Sequence, residues 1–204
     1  LNIGVGFFQD PQEAQGIAHF LEHMIFMGSK IYKSPNEYME FITQNGGSTN
    51  AFTAAEQTTY LFSINNKKFA PALDRLSAAI MEPLFDGTMV EKEINAVNSE
   101  WLKNRQTDVF IRQRAIALTG NPSHPRVKLG VGNKDTLGSN EEQLLGSLRD
   151  FHEKFYSANL MKLVLVGSQS SKELAKLARK YFSNIKNTKV CLLYTSDAAD
   201  DNAG

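Results

Sequence analysis

His19-Phe20-Leu21-Glu22-His23 is the stretch around which this chain is organised, and it lies inside the apolar run 16–27. Residues four apart share one face of an α-helix, so His19 and His23 can offer two imidazoles to one metal ion. Glu22 lies roughly 60° around the helix axis from His19, within reach of a water beside that metal. Zinc uses such groups in hydrolytic sites. Two histidines and a glutamate can also share a helix by chance, so the rest of the chain has to show whether the motif forms a metal site.

Length and composition indicate one globular domain. The chain has 204 residues, and its 22 basic and 22 acidic side chains cancel, which gives no electrostatic reason to expect nucleic acid or an anionic membrane as a partner. No segment approaches the roughly 20 apolar residues of a membrane span. The single cysteine, Cys191, excludes an internal disulfide framework and favours a reducing, cytoplasmic location. The chain begins with Leu1, so we expect a piece of a longer protein, and an organellar targeting signal outside this piece stays open.

Hydrophobic periodicity predicts a mixture of strands and helices. The strands are expected at 3–8, 48–53, 58–64 and 160–166. The helices are expected at 15–27, 35–45, 69–81, 89–101, 109–118, 141–155 and 172–182, with Ser34, Asn140 and Ser171 as caps. This pattern predicts an α/β (α+β) fold, in which a mainly antiparallel mixed sheet is covered by helices on one face.

Two segments of the sequence show no clear periodicity. Residues 119–140 are rich in glycine and proline, which favours a surface loop. Residues 189–204 have neither a helical nor a strand period, so we expect a disordered or non-native tail there. The functional domain is therefore expected to be 1–188.

A third metal ligand has to come from outside the motif, because catalytic zinc usually has three protein ligands and a water. Glu100 is the best candidate. It lies seven residues after Glu93 on the same face of a predicted helix, beside an apolar stripe that contains Ile94 and Val97. On spacing alone, the usual place for two such glutamates is a solvent-exposed acidic face.

Several further segments resemble the inverzincin peptidases. These are GIAHFLEHM at 16–24, GGSTNAFT at 46–53, ALDR at 72–75 and EINAVNSE at 93–100. The resemblance is narrowed to the insulysin, nardilysin and pitrilysin branch by NEY at 36–38, PLF at 83–85, GNPSHP at 120–125 and YSANLM at 156–161. It covers nearly the whole chain before the tail. It implies the first of four homologous α/β domains in a much longer chain, with one zinc ion in this domain and the remaining domains as partners.

The resemblance also implies roles for individual residues. His19, His23 and Glu100 match the family's zinc ligands, Glu22 its catalytic base and Glu93 its supporting carboxylate. The substrate-binding positions are Asn50 and Ala51 on an edge strand, and Met27, Phe52 and Phe110 in the pocket just after the scissile bond. The sequence departs from the family pattern at Gln113, where an aromatic residue is expected, which puts the size and polarity of that pocket in doubt. His124 and His152 match no role and are expected to be surface or loop residues.

The implied activity is zinc-dependent endopeptidase cleavage of small to medium peptides, and the full-length protein could also be a homo-oligomer. Two alternatives stay open. One is a non-catalytic scaffold or partner subunit of the same fold, against which the intact ligand and base set argues. The other is an organellar peptidase that processes presequences, which a basic amphipathic leader in the full gene would favour.

Overall fold

The computed structural model describes residues 1–138 and 140–191. Within them, one four-stranded sheet has the order β2-β3-β1-β4, and all neighbouring strands are antiparallel. The strands are β1 (Asn2–Ile3), β2 (Ser48–Thr53), β3 (Thr58–Ser63) and β4 (Met161–Lys162). The α-helices are α1 (Ile17–Ile25), α2 (Glu37–Gln44), α3 (Phe69–Met81), α4 (Gly87–Asn104), α5 (Asp108–Thr119), α6 (Lys134–Leu137), α7 (Glu141–Phe155) and α8 (Ser171–Phe182). The predicted α/β class is confirmed.

The hairpin of β2 and β3 has one packed and one open face. Ala51 lies opposite Tyr60, which is fully buried and shares a 2.6 Å hydrogen bond between its hydroxyl and that of Tyr156. The neighbouring pair, Asn50 and Leu61, projects from the opposite face and is exposed. This alternation is the pattern expected of a sheet whose second face is not covered.

Helix α1 lies at the centre of the packing. It contacts β2, α4 and α7, and its residues Phe20, Leu21, Met24 and Ile25 are fully buried. A helix that is apolar on most of its circumference is stable only inside the protein, where other elements cover it. The histidines and the glutamate of α1 are therefore held by a helix that the core fixes on several sides.

The prediction of a strand over 3–8 was largely wrong, because only Asn2–Ile3 pairs with other strands. Phe7–Gln9 forms a short 3-10 helix instead. The backbone N–H groups of Phe7 and Phe8 donate to the carbonyls of Ala54 and Ala55, at 3.1 and 2.9 Å, so this part of the chain bonds to the β2–β3 turn. The apolar character of the run indicated burial, but not which partner would receive its hydrogen bonds.

The prediction of a strand over 160–166 was also too long. β1 supplies partners only to Met161 and Lys162, and Leu160 belongs to the 3-10 helix Ala158–Leu160. Beyond Lys162 the chain has no ladder partner within the described residues. The side chains still alternate in burial there, and Val164 and Val166 are 77% and 83% exposed.

Several predicted helix starts were wrong by one or two residues. Helix α2 begins after Asn36, whose φ of +64° is left-handed, and not after Ser34. Helix α8 is capped by Ser170, which exchanges hydrogen bonds with Glu173 in a capping box. Helix α4 begins at Gly87 because the Asp86 carboxylate accepts the N–H of Thr88 at 2.9 Å. None of the helices in the described chain is both long and apolar enough to pass through a bilayer.

Candidate metal centre

The start of α1 is capped by a residue from outside the helix. Gly16 is at the N-cap position with no side chain to offer, and the buried Asp10 carboxylate accepts the N–H groups of Gly16 and Ala18 at 2.6 and 3.0 Å. Burial raises the pKa of Asp10 to about 7, and this effect outweighs the two hydrogen bonds and the charge of Lys128, which lower it. Sequence reasoning missed Asp10, although an acidic residue shortly before a helix is a usable signal.

The structure brings His19, His23 and Glu100 together. Nε2 of His19 lies 3.4 Å from Oε2 of Glu100, and Nε2 of His23 lies 3.7 Å from Oε1 of the same carboxylate. The two imidazole rings stand at 89° with centroids 4.9 Å apart. Glu100 reaches this position from the second half of α4, which packs against α1.

The second nitrogen of each imidazole has its own partner. Nδ1 of His19 lies 2.8 Å from the carbonyl oxygen of Val131, and Nδ1 of His23 lies 3.2 Å from Oε2 of Glu93. A carbonyl can only accept, so Nδ1 of His19 donates, which leaves Nε2 as the nitrogen that can bind a metal. Glu93 is buried and lies two turns before Glu100 on α4. These partners orient both rings toward Glu100.

The segment 119–140 contributes to the site, so its interpretation as a surface excursion was wrong. Besides Val131, it contains Gly132, which packs against Gly16 at the start of α1. A Cβ added to Gly16 would lie 2.3 Å from the Cα of Gly132, and the φ of Gly16 is +95°. The two backbones cross at Gly16 and Gly132, and only glycine fits this crossing without strain. The segment is thus held against the helix that carries the motif.

Glu22 is buried beside the two histidines and is held from the sheet. Thr53, at the end of β2, donates its hydroxyl hydrogen to Oε2 of Glu22 at 2.7 Å. Glu22 also lines the cleft beside the two histidines, and no hydrogen bond within the described residues involves its other carboxylate oxygen. Thr53 was not singled out from the sequence, because nothing in the order of residues indicates that a strand end would meet this helix.

The donor set fits a zinc ion. One ligand atom from each of His19, His23 and Glu100 lies within 4.8 Å of the others. Ligand atoms at the usual zinc bond lengths and a tetrahedral angle are roughly 3.3 Å apart, close to the two nitrogen-to-oxygen distances given above. Two imidazoles and one carboxylate leave a fourth position free, as catalytic zinc sites require. The three residues can therefore hold the ion with only small movements.

The charges around this donor set also favour a cation. Burial by itself lowers the pKa of His23, but the hydrogen bond that His23 donates to Glu93 and the charges of Glu100, Glu22 and Glu93 outweigh it and raise that pKa. A site that stabilises a protonated imidazole has a negative potential. A divalent cation gains from the same potential.

A cleft of about 620 Å³ opens beside the donor set and contains most of the predicted substrate residues. Met27, Asn50, Ala51 and Phe52 line it together with His19, Glu22, His23, Glu93 and Glu100. β2 forms one wall, and within the described residues it pairs only with β3, so it is an edge strand. Phe110 is separated from this group. It lines a neighbouring cavity of about 250 Å³, which shares His19 and Thr53 with the cleft.

The remaining two histidines differ from each other. His124 caps the short 3-10 helix Pro125–Val127, which agrees with a loop position. His152 was predicted to be a surface or loop residue, and this was wrong, because it is half-buried on α7. Its ring packs against Phe85 and Tyr156, and its Nε2 donates to the carbonyl of Ile80 at 2.8 Å. Burial lowers the pKa of His152.

Comparison with known proteins identifies relatives of this arrangement. Residues 1–123 match the family described as Insulinase (Peptidase family M16), and residues 144–202 match the Peptidase M16 inactive domain. All residues of the donor set, as well as Glu22 and Glu93, lie in the first match.

Individual relatives are similar over almost the whole chain. The insulin-degrading enzyme of Homo sapiens is 39% identical over 196 residues, which are 94% of this chain and 19% of that protein. Protease 3 of Escherichia coli is 42% identical over 188 residues, which are 92% of this chain and 20% of that protein. The A-factor-processing enzyme of Saccharomyces cerevisiae is 42% identical over 92% of this chain and 19% of its own length.

Solved structures show the same fold. The crystal structure of pitrilysin superposes with a TM-score of 0.92 at 40% identity, over 96% of this chain and 21% of that one. The chain spans about a fifth of the length of these relatives. Since the family match covers more than half of the sequence, the chain belongs to the insulinase family, peptidase family M16.

Proposed function

We propose that residues 1–188 are the catalytic domain of a zinc-dependent endopeptidase that hydrolyses peptide bonds in small to medium peptides. The observation that carries this proposal is the meeting of His19, His23 and Glu100 at one point, with Glu22 beside them. Family membership supports a peptidase, and the donor set supports zinc as its metal. The proposal concerns the full-length protein, of which this chain supplies the described site.

The chemistry follows from the positions of the residues. His19, His23 and Glu100 would hold one zinc ion, which supplies Lewis acidity and lowers the pKa of a water to about 7. Glu22 takes a proton from the attacking water and returns it to the leaving amine. Thr53 holds one carboxylate oxygen of Glu22, and we expect the other oxygen to take the proton. Glu93 and the carbonyl of Val131 keep the two imidazoles in place.

The edge strand supplies a means of holding the peptide. A substrate segment in an extended conformation can add to β2 alongside Asn50 and Ala51 by main-chain hydrogen bonds. Met27 and Phe52 offer apolar surface in the same cleft. A folded protein cannot supply an extended segment without unfolding locally, which favours peptides. One relative is named for the degradation of insulin and another for the processing of A-factor, which supports substrates of this class.

The experiment uses the full-length protein. Metal analysis after purification should find one zinc per chain, and cleavage of a mixture of peptides of 10–40 residues should stop with a chelator and return with added zinc. Substitution His19→Gln should lower the zinc content, whereas His124→Gln, at a histidine outside the site, should not. Zinc-free protein that cleaves peptides at the normal rate would contradict the proposal.

The same measurements separate the alternatives. A scaffold or partner subunit would cleave no peptide even with zinc bound. An organellar presequence peptidase would prefer basic amphipathic leaders over neutral peptides of the same length. The proposal includes a cytoplasmic location, supported by the presence of one cysteine, and homo-oligomers of the full-length protein, which light scattering would detect.

A further inference from the structure

The cavity of about 250 Å³ beside the zinc donors has a charge opposite to that of the main cleft. Three cationic side chains line it: Arg114, Arg126 and Lys128. No carboxylate of the described chain lines it, whereas Glu22, Glu93 and Glu100 all line the main cleft. We call this cavity the cationic side pocket. Because it shares His19 and Thr53 with the main cleft, it opens next to the reacting atoms.

The positive charge in the cationic side pocket is not neutralised by direct ion pairs. Lys128 donates two hydrogen bonds, to the carbonyls of Phe8 and Asp10 at 2.7 and 2.6 Å. Arg114 donates from Nη1 to the carbonyls of Val127 and Lys128, both at 3.0 Å. Carbonyls are neutral partners, so neither cation is paired directly with a carboxylate. Burial lowers the pKa of Lys128, and the charge of the Asp10 carboxylate offsets part of this effect. None of the ion pairs among the described residues involves these side chains.

Donor hydrogens remain for a ligand. An ammonium group has three donor hydrogens, so Lys128 has one left, and Nε and Nη2 of Arg114 donate to no group of the described chain. The Arg126 guanidinium likewise has no hydrogen bond or ion pair there, and its side chain is exposed. Gln113 adds an amide at the position where the family resemblance leads us to expect an aromatic ring.

The remainder of the lining is apolar and limits what can enter. Phe7 and Phe110 supply aromatic rings, and Leu129 supplies an aliphatic side chain. Such a wall can contact the methylene groups of an amino-acid side chain, and the cationic groups can donate hydrogen bonds to a negatively charged end of it. The volume is that of roughly eight water molecules, which is enough for one side chain and a few waters.

We propose that the cationic side pocket binds a carboxylate of the substrate next to the scissile bond. This inference rests on the proposed function and names the substrate class more closely. Two sources can supply the group: the side chain of a glutamate or aspartate, or the terminal carboxylate of a peptide cleaved near its C-terminus. In both cases Arg126 and Lys128 donate to the carboxylate oxygens, and the main cleft holds the rest of the peptide.

The test uses the full-length zinc-loaded protein and synthetic peptides that share one sequence. In the first arm both termini are blocked, and the residue on either side of the cleavage site is Glu, Gln or Leu. In the second arm no acidic residue is present, and the C-terminus is free or amidated. Mass spectrometry locates the cleavage, and kcat/KM is measured for each peptide.

The expected result is a preference of roughly tenfold for the carboxylate over its neutral isostere in one arm. Arg126→Gln should reduce that ratio to near one. The matched control is Arg112→Gln, an exposed arginine of the same helix as Arg114 that does not line the pocket, and it should leave the ratio unchanged.

The outcomes separate this inference from the proposed function. One outcome is that the Leu peptide is cleaved, that the Glu and Gln peptides have equal rates, and that free and amidated C-termini have equal rates. This would overturn the proposal that the cationic side pocket binds a carboxylate, and it would leave the peptidase proposal intact. Equal loss of the ratio in Arg126→Gln and Arg112→Gln would overturn it as well, because the effect would then come from overall charge. Failure to cleave any peptide with zinc bound would remove the proposed function, and this inference with it.

Discussion

The carboxylate of Glu93 lies 3.2 Å from Nδ1 of His23, on the side of the ring away from Glu100. This contact fixes the ring and makes its Nε2 a better donor to a metal. Glu93→Gln should therefore lower zinc affinity by about 10–100-fold while the fold is retained, because the amide has nearly the same shape. Competition with a fluorescent zinc chelator measures this. Glu91→Gln, an exposed site on the same helix, serves as the control and should have wild-type affinity.

Glu22 has a separate role, which its substitution by glutamine should reveal. Glu22→Gln removes the base but none of the three zinc donors, so zinc content should stay at one per chain. Peptide cleavage should fall by at least about 10²–10⁴-fold, the usual contribution of a positioned proton acceptor. Metal analysis and kcat on the same preparation test both statements. Near-normal hydrolysis would refute the role as base, and loss of zinc would mean that Glu22 is needed to hold the metal.

We expect Thr53 to act through Glu22. Thr53→Val keeps the shape but removes the hydroxyl that donates to Glu22 at 2.7 Å. Because a hydrogen bond to a charged group contributes about 1.5–3 kcal/mol, kcat should fall at least tenfold or so. Thr53→Ser keeps the hydroxyl and should restore most of the rate. Equal rates for Val and Ser would show that the contact with Glu22 does not matter.

The crossing of Gly16 and Gly132 should tolerate no side chain. Gly16→Ala places a Cβ against Gly132 at a φ of +95°, so the free energy of unfolding should fall by at least about 1–3 kcal/mol. The matched control is Gly146→Ala, inside α7, where no atom lies within 4 Å of the added Cβ. That substitution should raise stability by roughly 0.5–1 kcal/mol. Calorimetry of the full-length protein compares the two, and a stable Gly16→Ala variant would contradict the described crossing.

His152 makes a pH-dependent contribution to stability. Its pKa is lowered in the folded state from the ordinary value of 6.5, because burial disfavours the charged ring. Below that pH the unfolded chain binds more protons at this position than the folded chain, so stability should fall as the pH drops from about 6.5. Above it, the contribution is constant. His152→Gln should flatten this part of the curve of melting temperature against pH, and an unchanged slope would contradict the assignment.

The sequence indicated elements well where one local pattern decided them. The bounds of β2, α3 and α7 agree with prediction, because strand alternation or helical spacing repeats over their whole length. The prediction failed where backbone hydrogen bonds go to a distant segment and not to a neighbouring strand. After Ile3, for example, the backbone N–H groups of Phe7 and Phe8 bond to the β2–β3 turn. A strand at the sheet's edge also needs a partner, which residues 163–166 lack among the described residues.

The predicted ligand set and its supporting carboxylate, Glu93, came from a motif and a resemblance, but the other residues that hold the site in place did not. Asp10, Thr53 and Val131 act through a helix cap, a hydroxyl and a backbone carbonyl. The Asp10 cap is local, but the contacts of Thr53 and Val131 join residues 31 and 112 positions apart, and a backbone carbonyl has no sequence signal of its own. Only the fold places Val131 beside His19.

The docking of the 119–140 segment has a consequence for the zinc binding that we propose. Lys128 and Val131 join residues more than 110 positions earlier in the chain, at Asp10 and His19. Closing so long a loop is slow, because its entropy has to be lost before the contacts form. Until it closes, His19 has no acceptor for its Nδ1 hydrogen and α1 lacks the packing of Gly132 against Gly16. The zinc ion that we propose would therefore bind tightly only to chains that have completed this step. It would then act as a late ligand that draws the folding equilibrium forward, and the zinc content of a preparation would report its natively folded fraction.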